Sequence, residues 1–306
     1  MAFLNRTVIN IIKLGRLRFL WLGFSLYLLG TLLAVASGAA FGIDRFVFGY
    51  LVLMTGHLSV HYSNDYFDYE VDSRTAAGTL SGGSGILPKY PQLRSFAKWF
   101  GLSLAVLSVG LGAIFTIVFA FPLTYLGFAV FGNLLSWYYT APPVRLAYRG
   151  FSELATMTAV GFLMPAIGDF SQSGVAFSPL FLVFLVPLLL YSLSFIINVE
   201  VPDMEGDIAG GKRNFIVRKG RAAGFLAIGL LCTLATVFLA ALSVGHFQID
   251  FEPALLFSLI PLLPALSGMI RRPTDRGTAV KLVQINVGCF LLFILLMDAY
   301  LVFIHL

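Results

Sequence analysis

The sequence predicts an all-α, polytopic membrane protein of nine transmembrane helices. Three observations carry that prediction. The 306 residues are 58% apolar and only 11% charged, with a mean hydropathy of +0.90, whereas a soluble domain carries roughly 25% charged residues. Apolar runs of spanning length, ~20 residues each, recur nine times. The basic residues then segregate to one side of those runs. A soluble globular enzyme, a disordered tail and a disulfide scaffold are excluded, because too few polar residues remain to coat a water-facing surface.

The first fifteen residues mix Arg6 and Lys13 with Phe3, Leu4, Val8, Ile9, Ile11 and Ile12. They read as an interfacial amphipathic helix leading into a retained first span, with no cleavage context for a signal peptide. Spans are expected at 17–40, 46–64, 96–120, 122–140, 152–170, 178–198, 223–245, 253–270 and 281–304. Only the Phe121-Pro122 corner divides the third from the fourth. Pro261 and Pro264 should kink the eighth. Numbering the connections alternately puts 19 of the 20 Lys and Arg on the N-terminal side and leaves Arg45 alone on the other. The positive-inside rule makes the basic side cytoplasmic, so the N-terminus is expected inside and the C-terminus outside. Trp21, Trp99 and Trp137 fall at the cytoplasmic ends of their spans, as interfacial anchors should. The net charge of +5 therefore reports orientation and gives no reason to expect a nucleic-acid partner. Cys232 and Cys289, both within apolar runs, read as small packing residues. The whole chain, 1–306, is expected to form one domain whose halves, helices 1–4 and 5–8, are distant repeats.

Eight of the fifteen acidic residues fall in two short stretches. The first, Asn64-Asp65-Tyr66-Phe67-Asp68-Tyr69-Glu70-Val71-Asp72, closes the second span. The second, Glu200-Val201-Pro202-Asp203-Met204-Glu205-Gly206-Asp207, closes the sixth. Asn64, Asp68 and Asp72 are four residues apart, as are Asp203 and Asp207, so each set lies in one helical stripe. Clustered acids repel one another unless a cation sits among them. Oxygen-only ligands favour a hard ion such as Mg²⁺, which binds through a few carboxylates plus substrate phosphates. Two such clusters facing across a cavity would hold two ions on a diphosphate. Most Lys and Arg are orientation signals, but Arg74, Arg145 and Lys212 stand where cations would cover the remaining diphosphate oxygens. Gly206-x-x-x-x-Gly211-Lys212-Arg213 is not a nucleotide loop, since Arg213 replaces the required Ser or Thr and no strand precedes it. His57 and His61, four residues apart in the second span, read as a pocket-lining pair rather than a zinc site.

Asn64-Asp65-x-x-Asp68-x-x-x-Asp72 and Asp203-x-x-x-Asp207, each at the end of a span in a nine-span chain, resemble the motifs of the UbiA superfamily of intramembrane prenyltransferases. The resemblance covers essentially the whole chain. It implies a helical bundle around a central cavity that opens laterally to lipid. Asn64, Asp65, Asp68, Asp72, Asp203 and Asp207 are then metal ligands for two Mg²⁺. Arg74, Tyr139, Arg145 and Lys212 face the diphosphate, and Asp68, Asp72, Asp203 and Asp207 are catalytic. Within the family, Tyr139-Thr140-Ala141-Pro142-Pro143-Val144-Arg145-Leu146-Ala147-Tyr148-Arg149-Gly150 is most similar to the branch that prenylates 1,4-dihydroxy-2-naphthoate for menaquinone. Glu200, in place of a common Asn, and the Ala76–Ser81 insertion depart from that branch. The expected reaction is Mg²⁺-dependent transfer from a polyprenyl diphosphate to an aromatic acceptor, at the cytoplasmic face of a prokaryotic plasma membrane. Tyr62, Tyr138 and Tyr139 offer π faces near the motifs for an allylic cation. The alternatives keep the fold and change the acceptor to geranylgeranylglyceryl phosphate, haem or 4-hydroxybenzoate, or make the chain an ion-coupled transporter.

Overall fold

The computed structural model describes residues 2–73 and 83–305, and every regular element among them is helical. Helix α1 (Ala2–Leu14) leaves Val8, Ile9 and Ile12 about half exposed, as suits a helix lying along lipid. The chain breaks at Gly15-Arg16, where Arg16 takes a left-handed conformation with φ 43°. It then enters α2 (Leu20–Ala36). Helix α3 (Ile43–Phe67) continues almost unbroken into the single turn α4 (Tyr69–Asp72). Helices α5 (Arg94–Val118) and α6 (Leu123–Trp137) meet at the expected corner, where Pro122 is extended and precedes the first turn of α6.

The fifth expected span is not one regular helix. A short α7 (Ser152–Thr156) widens into a π-helical stretch at Met157–Leu163 before α8 (Met164–Ser173). Pro165 has no N–H to give the Gly161 carbonyl, so the regular ladder cannot run through. Helix α9 (Pro179–Glu200) starts where the Ser178 hydroxyl accepts from the Phe181 N–H and ends two residues before Pro202. A 3₁₀ turn, Val201–Asp203, links it to α10 (Met204–Ala209). Then follow α11 (Phe215–Ser243), kinked at Gly220, α12 (Glu252–Arg271) with both prolines inside, and α13 (Arg276–His305).

Helices α3, α5 and α6 pack together, α9 joins the π stretch to α11, and α11–α13 continue round until α13 meets α2. The ring is tied across by α2 and α8, whose backbones touch. A Cβ on Gly30 would strike the Pro165 carbonyl, and one on Gly168 would strike the Tyr27 carbonyl. Small residues permit this close approach, the usual means of helix association in lipid. Seven of the expected spans coincide with helices long and apolar enough to cross a membrane. The other two form helices but fall outside that description. Helix α3 is long enough, with 25 residues, but carries His57, His61, Asn64 and Asp65. Helix α6 has 15 residues, about 22 Å at 1.5 Å per residue, against a hydrocarbon core of ~30 Å.

Candidate functional site

His57, His61 and Asn64 of α3 face a cavity of about 330 Å³ lying between α3 and α6 on one side and α7, the π stretch and α9 on the other. Asn64, Asp68 and Asp72 all line it, so the stripe survives the break at Asp68 because the Asp72 N–H still donates to the Asp68 carbonyl, at 2.9 Å. Asp203, Asp207, Tyr139 and Lys212 line the same cavity. Pro202, two residues beyond α9, turns the second acidic stretch back toward the first.

Lys212 joins the two stretches. Its Nζ is 3.2 Å from Asp68 Oδ2 and 3.3 Å from Asp207 Oδ1. Burial disfavours its charge, but the Asp68 and Asp207 carboxylates outweigh burial and hold the ammonium well above the usual lysine range. Asn214 donates to Asp207 Oδ2 at 2.6 Å, and Thr140 donates to Asn64 Oδ1 at 2.8 Å. The Tyr148 hydroxyl donates to Asp68 Oδ1 at 2.6 Å; burial and then the Asp68 charge raise its pKa, so it stays a donor. One lysine does not balance these acids. Burial, followed by the like charges of Asp65 and Asp68, pushes the Asp72 carboxyl up to about 7.

The structure sorts the expected site residues. Asp65 turns away from the cavity, where the Arg16 guanidinium and the Ser84 hydroxyl and N–H take its oxygens. Arg145 is exposed and stacks 3.8 Å from the centre of the Tyr148 ring, so it reaches Asp68 only through that tyrosine. Arg74 lies outside the described residues. His57 and His61 line the cavity with ring centres 5.1 Å apart. Glu205 is held by Arg221 at 2.6 Å and anchors α10 to α11.

Sequence reasoning missed Arg16, Tyr148, Thr140 and Asn214 as partners. Their separations from the residues they serve, 49, 80, 76 and 7, leave only the last within reach of a local pattern. It also gave Glu200 no role, although Glu200 is buried on the cavity wall.

Among the described residues no three His, Cys, Asp or Glu converge tightly enough to cage an ion alone. The donor set still suits Mg²⁺, because its carboxylates are undercompensated and its oxygens sit on opposite walls, leaving positions for water and substrate oxygens. Below the acids the walls turn apolar through Val52, Val160 and Ile167. The arrangement can bind a polyanion at one end and a hydrocarbon chain along the rest.

The model of the UbiA prenyltransferase family matches residues 24–294. A digeranylgeranylglyceryl phosphate synthase of Thermococcus kodakarensis is 24% identical over 283 residues, spanning 88% of this chain and 90% of that protein. Among solved structures, one reported for digeranylgeranylglyceryl phosphate synthase superposes with a TM-score of 0.67 at 16% identity, over 97% of this chain and 99% of that one. A UbiA homologue of Archaeoglobus fulgidus bound to DMAPP and Mg²⁺ gives 0.66 at 16% identity, over 94% and 98%. At such identities the superpositions establish the fold.

Proposed function

The chain belongs to the UbiA prenyltransferase family, and from that premise we propose that it transfers an isoprenyl group from an allylic diphosphate to the hydroxyl of a glyceryl phosphate lipid. The observation that carries the chemistry is the pair of acidic stripes on opposite walls of one cavity, bridged by Lys212. Asn64, Asp68 and Asp72 would hold Mg²⁺ from one wall, and Asp203 and Asp207 from the other, with two ions as the working number. Bound there, Mg²⁺ would supply Lewis-acid stabilisation of the leaving diphosphate. Lys212 covers oxygens that the metal leaves free. Tyr148 holds Asp68 in place, and Arg145 stacks on the Tyr148 ring. Apolar walls exclude water from the allylic carbon, and Tyr139 borders the cavity where a π face is useful.

The acceptor rests on the match to the digeranylgeranylglyceryl phosphate synthase, which runs through nearly all of both chains. An aromatic quinone precursor such as 1,4-dihydroxy-2-naphthoate is the second reading, favoured by the residues from Tyr139 to Gly150. The test is diphosphate release by purified protein given geranylgeranyl diphosphate, Mg²⁺ and either acceptor, repeated with EDTA. Release that needs the glyceryl phosphate and is lost with EDTA is expected. Release with the naphthoate alone would move the enzyme to the quinone branch. Silence with every acceptor, in folded protein, would overturn the reading.

A further inference from the structure

Prenyl transfer to a hydroxyl leaves a proton in the cavity, and the structure holds a route by which that proton can leave. Glu200 is 5% exposed and lines the cavity. Its Oε1 lies 2.9 Å from Ser152 Oγ, while its Oε2 is buried with no hydrogen-bond partner. Ser152, at the start of α7, is 2% exposed, and its Oγ is also 3.1 Å from Glu153 Oε2. A hydroxyl has one proton to give. Ser152 can therefore donate to only one carboxylate at a time, and with one proton shared between the two glutamates it would accept from whichever is protonated and donate to the other. Glu153 is half-buried, and its other oxygen accepts from the Phe215 N–H. Carboxyl, hydroxyl and carboxyl thus run unbroken from the cavity wall to the partly exposed end of the bundle. The charged groups facing Glu200 are Glu153 on α7, Asp207 on α10 and Lys212 beyond it. Asp68 and Asp207, also on the cavity, already hold Lys212.

We propose that Glu200, Ser152 and Glu153 form a proton relay, with Glu200 as the base that takes the acceptor's hydroxyl proton. The inference rests on the prenyl-transfer reading above. The allylic C–O bond breaks and the electron pair leaves with the diphosphate. The acceptor oxygen then bonds the allylic carbon, and its O–H bond breaks. At the start the shared proton sits on Glu200 Oε1 and Glu153 is ionised. As the acceptor's proton reaches Glu200 Oε2, the Oε1 proton passes to Ser152 Oγ, the Ser152 proton passes to Glu153 Oε2, and Glu153 gives that proton to water. Rotation of the Glu200 carboxyl then returns its one remaining proton to the Ser152 side. No oxidant or co-reactant is needed.

The experiment compares wild type with Glu200→Gln, Ser152→Ala and Ser152→Thr. Each is assayed for acceptor-dependent diphosphate release with the glyceryl phosphate and with the naphthoate, and for binding of a non-hydrolysable geranylgeranyl thiodiphosphate. Glu200→Gln keeps the shape but cannot take a proton, and should lower kcat about a hundredfold, within the range for general base catalysis. Ser152→Ala should lower kcat similarly, and Ser152→Thr, which keeps a hydroxyl, should restore most of it. Thiodiphosphate affinity should stay at the wild-type value throughout. Wild-type turnover in Glu200→Gln or Ser152→Ala would overturn the relay, as would a parallel loss of thiodiphosphate binding. Failure of the acceptor reading is seen separately, as wild-type protein silent on the lipid yet active on the naphthoate.

Discussion

Lys212 sets the electrostatics of the site, because it pairs with carboxylates from both walls at once. Removing one partner from a buried charge cluster leaves the others uncompensated. Lys212→Met should therefore cost about 3 kcal/mol of stability and lower turnover, measured by melting in detergent and by diphosphate release. Since the folded pKa of Lys212 is raised, its stabilisation is fully present below the unfolded value and is lost only as pH rises through the folded one. The melting difference from wild type should thus persist to about pH 9, and it should widen above about pH 7, where the Asp72 carboxyl that Lys212 helps to hold down becomes ionised in the wild type. Added Mg²⁺ should recover part of it, because a divalent ion can replace the missing ammonium. Helical spacing made the Asn64, Asp68 and Asp72 stripe legible in the sequence. It should also have set Asp65 apart: one residue on is about 100° round a helix, which points Asp65 away from the stripe and at Arg16. The partner itself was not legible, since 49 residues separate the two.

Among the elements, the crossing of α2 and α8 fixes the interior and gives the sharpest test of packing. Gly30 has the Pro165 carbonyl where its Cβ would be, whereas Gly110 in α5 has nothing within 4 Å. Gly→Ala in a free helical position gains up to about 1 kcal/mol in propensity. Gly110→Ala should therefore melt at or slightly above wild type, while Gly30→Ala should melt several degrees lower, about 2 kcal/mol less stable. Equal melting of the two would mean that the helices do not cross this closely. Hydropathy located most helices well, and the corner at Pro122 fell where it was expected. It did not foresee the π stretch at Met157–Leu163, although Pro165 was visible, because a proline in an apolar run can kink, end or widen a helix and only its neighbours decide. The close contact of α8 with α2 leaves little room for a simple kink. Helix α3 is less apolar than its neighbours for a different reason: its polar face looks into the cavity instead of at lipid or protein.

At the scale of the whole molecule, the ring of helices makes a slot with a charged end and an oily end, and its length should govern which donor fits. Asn64 and Val52 both line the cavity from α3. Twelve residues separate them, so the slot runs about 18 Å along that helix at 1.5 Å per residue. Gly132 lines the cavity from α6, and a Cβ there would meet only Leu163 Cδ1, at 3.8 Å. A side chain at this position therefore grows into the slot without disturbing helix packing. Gly132→Phe should fill the oily part and leave the acids untouched. The KM for geranylgeranyl diphosphate should then rise about tenfold, the scale of one or two lost methylene contacts in an apolar pocket. Dimethylallyl diphosphate, which ends before the obstruction, should keep its wild-type KM. Steady-state diphosphate release with the two donors, at saturating acceptor, measures both. If the long donor is unaffected, its chain must leave the cavity above Gly132, through the side of the bundle into lipid, and the slot would not set donor length. If both donors fail together, Gly132 borders the reacting end, and the direction of the chain within the cavity would have to be reversed.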